Sequence, residues 1–257
     1  MTNSFEMPQQ SRDKSFSHIK EEEHEFENLV LENCYNQGCE IISRDDFVRN
    51  SLISLKEHDK NTFIHSLEVG NMMAYLINEM ADKFTEEEKR TLMMSALLHD
   101  FGKTHIDANI LNKRETLTDK ERKIIEEHPR HSFNALRDWD EEVARVAVAH
   151  HEHQAHSYPR KDFVKDVLDN RGKDGQIRKL SRILAIVDAF QAMTDMTRPS
   201  NIRNPKTMDQ IIKELRERKI MPREDEEVLF LLETYYYQNK KKDEINYNNQ
   251  SDLVGNA

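Results

Sequence analysis

From Asp45 onward, apolar residues recur every three or four positions and never settle into sustained alternation, so they can be buried together only on helices. The fold class this predicts is all-α. The clearest case is Thr62 to Ala81, where His65 shares one stripe with Val69, Met72, Leu76 and Met80, and Phe63, Leu67, Gly70, Ala74 and Ile77 make another. A helix with two such stripes is buried on a wide face. Thr85 with Glu88 reads as a capping box opening the helix that carries Leu92, Met93, Leu97 and Leu98, and Thr118 with Glu121 repeats the device before Ile124 and Ile125.

Several of these inward faces end on side chains that do not belong in a core. The stretch "SALLHDFGKTHI" closes an apolar run on His99-Asp100, and a buried carboxylate is costly unless something pairs with it. Gly102 is expected to take the left-handed turn after that helix. Ile124 and Ile125, three and four residues before His128, put the histidine on their inward face, while Pro129 sets it at a break between two helices. In "DEEVARVAVAHHEH", Val143, Val146, Ala147 and His150 follow one stripe and Ala144, Val148 and His151 the next. "RILAIVDAFQAM" embeds Asp188 among apolar residues.

Taken alone, each of these histidines is more often a hydrogen-bonded core or surface residue, Asp188 a cap or an arginine's partner, and Lys103 a solvated charge at a helix end. Together, five separate segments offer His65, His99-Asp100, His128, His150-His151 and Asp188 to one interior. Imidazole and carboxylate in combination suit iron, manganese or zinc, and a carboxylate such as Asp100 can bridge two ions. Two ions roughly 3.5–4 Å apart are the usual device for hydrolysing phosphate esters. Such ions would neutralise Asp100.

Composition narrows the partners. A formal net charge of −10 with 33% charged residues argues against a surface for duplex nucleic acid or anionic lipid. No apolar run approaches the roughly 20 residues of a membrane span, and the polar start has no apolar centre of a secretory signal, so a cytoplasmic protein is expected. Cys34 and Cys39 fit free thiols, and the glycines form no phosphate loop of the GxxxxGK or GxGxxG kind. The chain divides into an N-terminal extension (1–44) with a short helix bearing Phe26, Leu29 and Val30, a main domain (45–237) and a polar tail (238–257). The short helix packs locally or dimerises, and residues 161–178 read as a charged surface connection.

The motif "HDFGK" resembles the HD-x-GK signature of the HD-GYP group within the HD phosphohydrolase superfamily. The resemblance continues in order through "HDKNTFIHSLEV", "ILNKRETLTDKERKIIEEHP", "AHHE", "YP" and "RILAIVDAF". It implies a helical bundle enclosing a metal centre and a metal-dependent phosphodiesterase acting on cyclic dinucleotides, typically cyclic di-GMP. By motif, His65, His99, Asp100, His128, His150, His151 and Asp188 would hold two divalent ions, iron or manganese with zinc as the alternative. Asp100 and Lys103 would be catalytic, and Lys103, Tyr158 and Arg198 would contact substrate.

The departures are local. "HHEHQAHSYP" lacks both glycines of the usual loop and is one residue short, although Tyr158 and Pro159 are retained. Gln191 stands where an acidic residue is usual, and Arg198-Pro199 sits one residue farther from Asp188. Asn61 occupies the place of a carboxylate that gives some members a third metal, so two ions are expected. The alternatives are a weakly active or inactive cyclic-dinucleotide receptor or interaction module, and an HD phosphohydrolase with another nucleotide substrate. A homodimer or a signalling-protein partner is left open.

Overall fold

Asp45 starts the described fold by capping the first helix, its carboxylate accepting from the Phe47 and Val48 amides at 3.0 and 3.1 Å. The computed structural model describes residues 44–153, 158, 174–198, 202, 204–217 and 225–254. The short N-terminal helix, the two cysteines, the connection through residue 173 and the loop glycine positions at 154–157 lie outside them. Among the described residues every regular element is helical. In order these are α1 (Asp46–His58), α2 (Lys60–Glu79), α3 (Glu86–Leu98), the short α4 (Ala108–Leu111), α5 (Asp119–Ile125), α6 (His128–Leu136), α7 (Glu141–Ala149), α8 (Asp174–Thr194), α9 (Met208–Glu217) and α10 (Glu226–Val254). Short 3₁₀ turns follow α2 (Ala81–Lys83) and α3 (Phe101–His105).

Local chemistry sets the boundaries. Asp59 ends α1 and caps α2, accepting from the Asn61 and Thr62 amides. Thr85 with Glu88 and Thr118 with Glu121 form complete capping boxes at the starts of α3 and α5. Pro129 lies in the first turn of α6, where its missing N–H is harmless, so His128 becomes the first residue of that helix after a two-residue break.

Both stripes of α2 are buried, and the helix runs between two apolar clusters. One joins α2 and α3 to α8, α9 and α10 through residues such as Leu76, Leu184, Phe190, Ile211 and Leu232. The other joins them to α1, α6 and α7 through Leu52, Phe63, Leu98, Leu136 and Val143. Gly70 lets α2 and α3 meet closely, since a Cβ there would stand 2.8 Å from Leu97 Cδ2. Arg182 ties α8 to the chain entering α10 through a half-buried ion pair with Asp225, at 2.6 Å.

Four sequence expectations change. The surface connection assigned to 161–178 stops short of its C-terminal end, since α8 already starts at Asp174 and buries Ile177. Ile124 is 38% exposed and does not share the inward face of His128; only Ile125 turns toward the interior. The polar segment after Tyr237 continues α10 as far as Val254. Gly102 has no positive φ; its small size serves a close approach described below. Among the described residues no helix is long and apolar enough to cross a membrane.

Candidate metal centre

The inward histidines are delivered mostly by helix ends. His99 and His150 cap the C-termini of α3 and α7, where the orphan carbonyl dipoles favour a cation, and His128 opens α6. His65 and Asp188 project from the interiors of α2 and α8. His65, His99, Asp100, His128, His150, His151 and Asp188 are all buried, none more than 9% exposed.

The turn after α3 is clamped onto α6. Gly102 donates its amide to Ser132 Oγ at 2.8 Å, and Ser132 Oγ donates onward to the His99 carbonyl at 2.7 Å. A Cβ on Gly102 would overlap the His128 carbonyl oxygen and the Ser132 amide nitrogen. Glycine is therefore needed because two backbones touch, and that contact sets Asp100 beside His128.

Three of the imidazoles are held in one tautomer. Nδ1 of His99, His128 and His150 donates to the carbonyl three residues back, those of Ala96, Ile125 and Ala147, at 2.9, 2.8 and 2.5 Å. The protons therefore sit on Nδ1, and the three Nε2 lone pairs point into the interior with no hydrogen-bond partner. What they face is carboxylate. His128 Nε2 lies 3.1 Å from Asp100 Oδ1, whereas Asp100 Oδ2 lies 3.5 Å from His99 Nε2 and 3.6 Å from His65 Nε2. Asp188 Oδ1 is 3.1 Å from His65 Nε2 and 3.8 Å from His99 Nε2. Lone pairs facing carboxylate oxygens repel unless a cation lies between them.

Charge balance points the same way. Burial pushes the imidazoles of His99, His128 and His151 below their ordinary value and that of His150 down to about 4, which makes them neutral at pH 7 and able to serve as ligands. Burial would push Asp100 up, but its carboxyl is held well below the usual range. With the imidazoles neutral, the Lys103 ammonium, 2.6 Å from Oδ2, is the fixed cation that holds it there. Asp188 is likewise held well below the usual range against its burial, by the hydrogen bond and charge of His65, 3.1 Å away.

The donor atoms fall into three close groups: His65, His99 and Asp188; His99, Asp100 and His150; and His128, His150 and His151. Neutral imidazoles and two carboxylates, with lone pairs converging in a buried space, fit divalent transition ions.

Of the other candidate residues, Lys103, Tyr158 and Arg198 line a cavity of about 250 Å³ over the cluster. Tyr158 packs on His151 at 4.4 Å between ring centres, and burial pushes its hydroxyl far above its ordinary range, so it stays protonated. Arg198 pairs with Asp195 at 3.3 Å. Asn61 is exposed and donates to Asn112 Oδ1 at 2.9 Å. Two contributors escaped the sequence reading. Ser132 lies four residues after His128, a spacing that puts it on the same helix face. Glu68, one turn after His65, accepts from the Gln191 amide, and Gln191 Oε1 in turn lies 2.5 Å from His65 Nδ1.

Comparison with known proteins adds the lineage. Residues 51–228 match the HD domain family. The chain is 30% identical over 150 residues to a cyclic di-GMP phosphodiesterase of Pseudomonas aeruginosa, covering 56% of this chain and 33% of that protein. It is 33% identical over 137 residues to the 3′3′-cGAMP-specific phosphodiesterase 1 of Vibrio cholerae, covering 52% and 29%. A cyclic di-GMP phosphodiesterase of Thermotoga maritima is 29% identical over 162 residues, covering 61% and 40%. The matches thus span less than half the length of these relatives.

Proposed function

The chain belongs to the HD domain family and is of the HD-GYP type, and from that premise we propose that residues 45–237 form a metal-dependent phosphodiesterase that hydrolyses a cyclic dinucleotide, cyclic di-GMP foremost. The observation that carries this reading is the placement of Asp100, whose two oxygens face different imidazoles and so suit a bridge between two ions. His65, His99 and Asp188 would hold one ion and His128, His150 and His151 the other, both iron or manganese. When bound, such ions supply Lewis acidity at phosphorus and an activated water.

The chain's own groups supply binding and charge. Lys103 lines the small cavity over the cluster and also a larger one of about 710 Å³ that shares His65, Lys103, Ile125 and Arg198 with it. Only the larger one falls within the ordinary range for a bound ligand, about 300–1,000 Å³, so a substrate extending from the cluster into it suits two nucleotides better than one. Lys103 and Arg198 stand where the two spaces meet, placing cationic donors on a phosphate held over the cluster, and their charge counts most as the transition state gains negative charge. Tyr158, protonated and packed on His151, can donate a hydrogen bond to the phosphate or ribose. The relatives named for cyclic di-GMP favour that substrate, and the cGAMP-specific one makes the mixed dinucleotide its competitor. The proposal keeps a cytoplasmic setting.

The test is product analysis after anaerobic incubation of iron- or manganese-loaded protein with cyclic di-GMP, 3′3′-cGAMP and cyclic di-AMP. Linear dinucleotide or mononucleotide should form with wild type and be lost in Asp100→Ala, which should keep its helical content but lose metal. A metal-loaded wild type that binds a cyclic dinucleotide without cleaving it would leave a receptor in place of an enzyme.

A further inference from the structure

His65 is oriented differently from His99, His128 and His150. Those three give Nδ1–H to a carbonyl of their own chain turn, so any sequence that forms the helix end also aims the ring. His65 lies within α2, where the carbonyl at that spacing is already committed to the helix, and its Nδ1 meets the side-chain Oε1 of Gln191 on α8 at 2.5 Å. Gln191 is 2% exposed. Its amide nitrogen donates to the Glu68 carboxylate, one turn beyond His65 on α2.

An amide has two unlike ends, and this is what makes the chain of contacts directional. Glu68 can only accept when ionised, so the NH₂ of Gln191 must face it and Oε1 must face His65. Oε1 also only accepts, so Nδ1 of His65 carries a proton; Nε2 lies 3.1 Å from Asp188 Oδ1 and 3.6 Å from Asp100 Oδ2, and its lone pair becomes available to an ion between them when that atom gives up its proton. The guanidinium of Arg198 reaches the same Nδ1 at 3.2 Å as a donor that would favour the opposite tautomer, and the contact with Oε1, at 2.5 Å, is the shorter of the two. A reversed amide would turn NH₂ toward Nδ1, shift the proton to Nε2 and block the atom that faces the carboxylates.

We propose that Gln191 is a positioning residue: under the direction of Glu68 it selects the tautomer of His65 and thereby makes the His65, His99 and Asp188 side of the centre competent to bind a metal ion. The inference rests on the proposed metal centre but concerns one half of it. The amide does here what a carboxylate could do, with the negative charge set one residue farther back, on Glu68.

The experiment uses the full chain stripped of metal. In ¹⁵N-histidine spectra, Nδ1 of His65 should be protonated in the wild type; Gln191→Leu and Glu68→Gln should lower that protonation. Manganese(II) titration by calorimetry should give two ions for wild type. In Gln191→Leu the ion on the His65 side should bind about 10–100-fold more weakly while the other is unchanged, the range seen for loss of partners behind metal ligands. Gln191→Glu combined with Glu68→Gln, which keeps an acceptor for Nδ1–H and a donor behind it, should restore the binding. The double variant also carries the test if Gln191→Leu fails to fold, since loss of its His65-side ion in a folded protein would refute the role. An unchanged His65 tautomer and two unchanged affinities in Gln191→Leu would overturn the inference while leaving the metal centre intact. A wild type that binds no manganese would instead overturn the centre itself.

Discussion

Replacing Gly102 by alanine should show how tightly the turn after α3 is held. The added methyl would overlap the His128 carbonyl oxygen and the Ser132 amide nitrogen and stand 2.8 Å from Ser132 Oγ. Two of these are main-chain atoms in the first turns of α6, so relief requires the helix or the turn to move. Overpacking of this kind costs about 1–3 kcal/mol. Weakening the Gly102 N–H bond to Ser132 Oγ adds about 1 kcal/mol. Reduced freedom of the unfolded chain returns about 0.4–1 kcal/mol. The net is a loss of about 1–3.6 kcal/mol, and with about 2–4 °C per kcal/mol for a domain of this size Tm should fall by about 2–14 °C. Thermal denaturation of the metal-free protein by circular dichroism reads this directly. Metal content should fall with it, because any displacement of α6 carries His128 away from Asp100. A variant with wild-type Tm and full metal content would show that the close approach is not a constraint.

Two further outcomes can be checked on the same preparation. Lys103→Ala should keep its metal but lose about 10²–10³ in kcat, because an ammonium beside the phosphate acts on charge in the transition state; unchanged kcat/KM on every cleaved substrate would return Lys103 to a role as Asp100's counterion. For pH, burial and the nearby Arg182 and Arg178 push His153 down to about 4 from 6.5, so the unfolded chain binds the extra proton between those values. The stability tied to His153 is therefore complete above about pH 6.5 and lost as pH falls to about 4, at up to about 1.4 kcal/mol per pH unit. His153→Gln should flatten the pH dependence of denaturant unfolding of the metal-free protein by about that slope. The same slope in both proteins would refute the assignment.

The parts of this molecule written locally could be read from the chain. Thr85 with Glu88, Thr118 with Glu121 and the paired stripes of α2 depend on spacing alone, and each is found where its spacing puts it. Pro129 announced the break at His128 for the same reason. What could not be read depends on contacts between segments far apart. Gly102 looked like a helix terminator, because the approach of α6, 30 residues on, has no local signature. Gln191 stood out as a departure, but its meaning lay in Glu68, 123 residues away on another helix. Ile124 misled for a different reason: adjacent helical residues point about 100° apart, and the partial burial on this short helix fell to Ile125. The ligand candidates were legible because charged or polar side chains within apolar helix faces are exceptional wherever they occur.

The central claim is that Asp100 bridges two ions, and anomalous diffraction from crystals of metal-loaded protein tests it most directly. Two peaks about 3.5–4 Å apart should flank the Asp100 carboxylate, one near His65, His99 and Asp188 and one near His128, His150 and His151. A single ion, a third fully occupied ion toward Asn61, or peaks away from Asp100 would contradict the account.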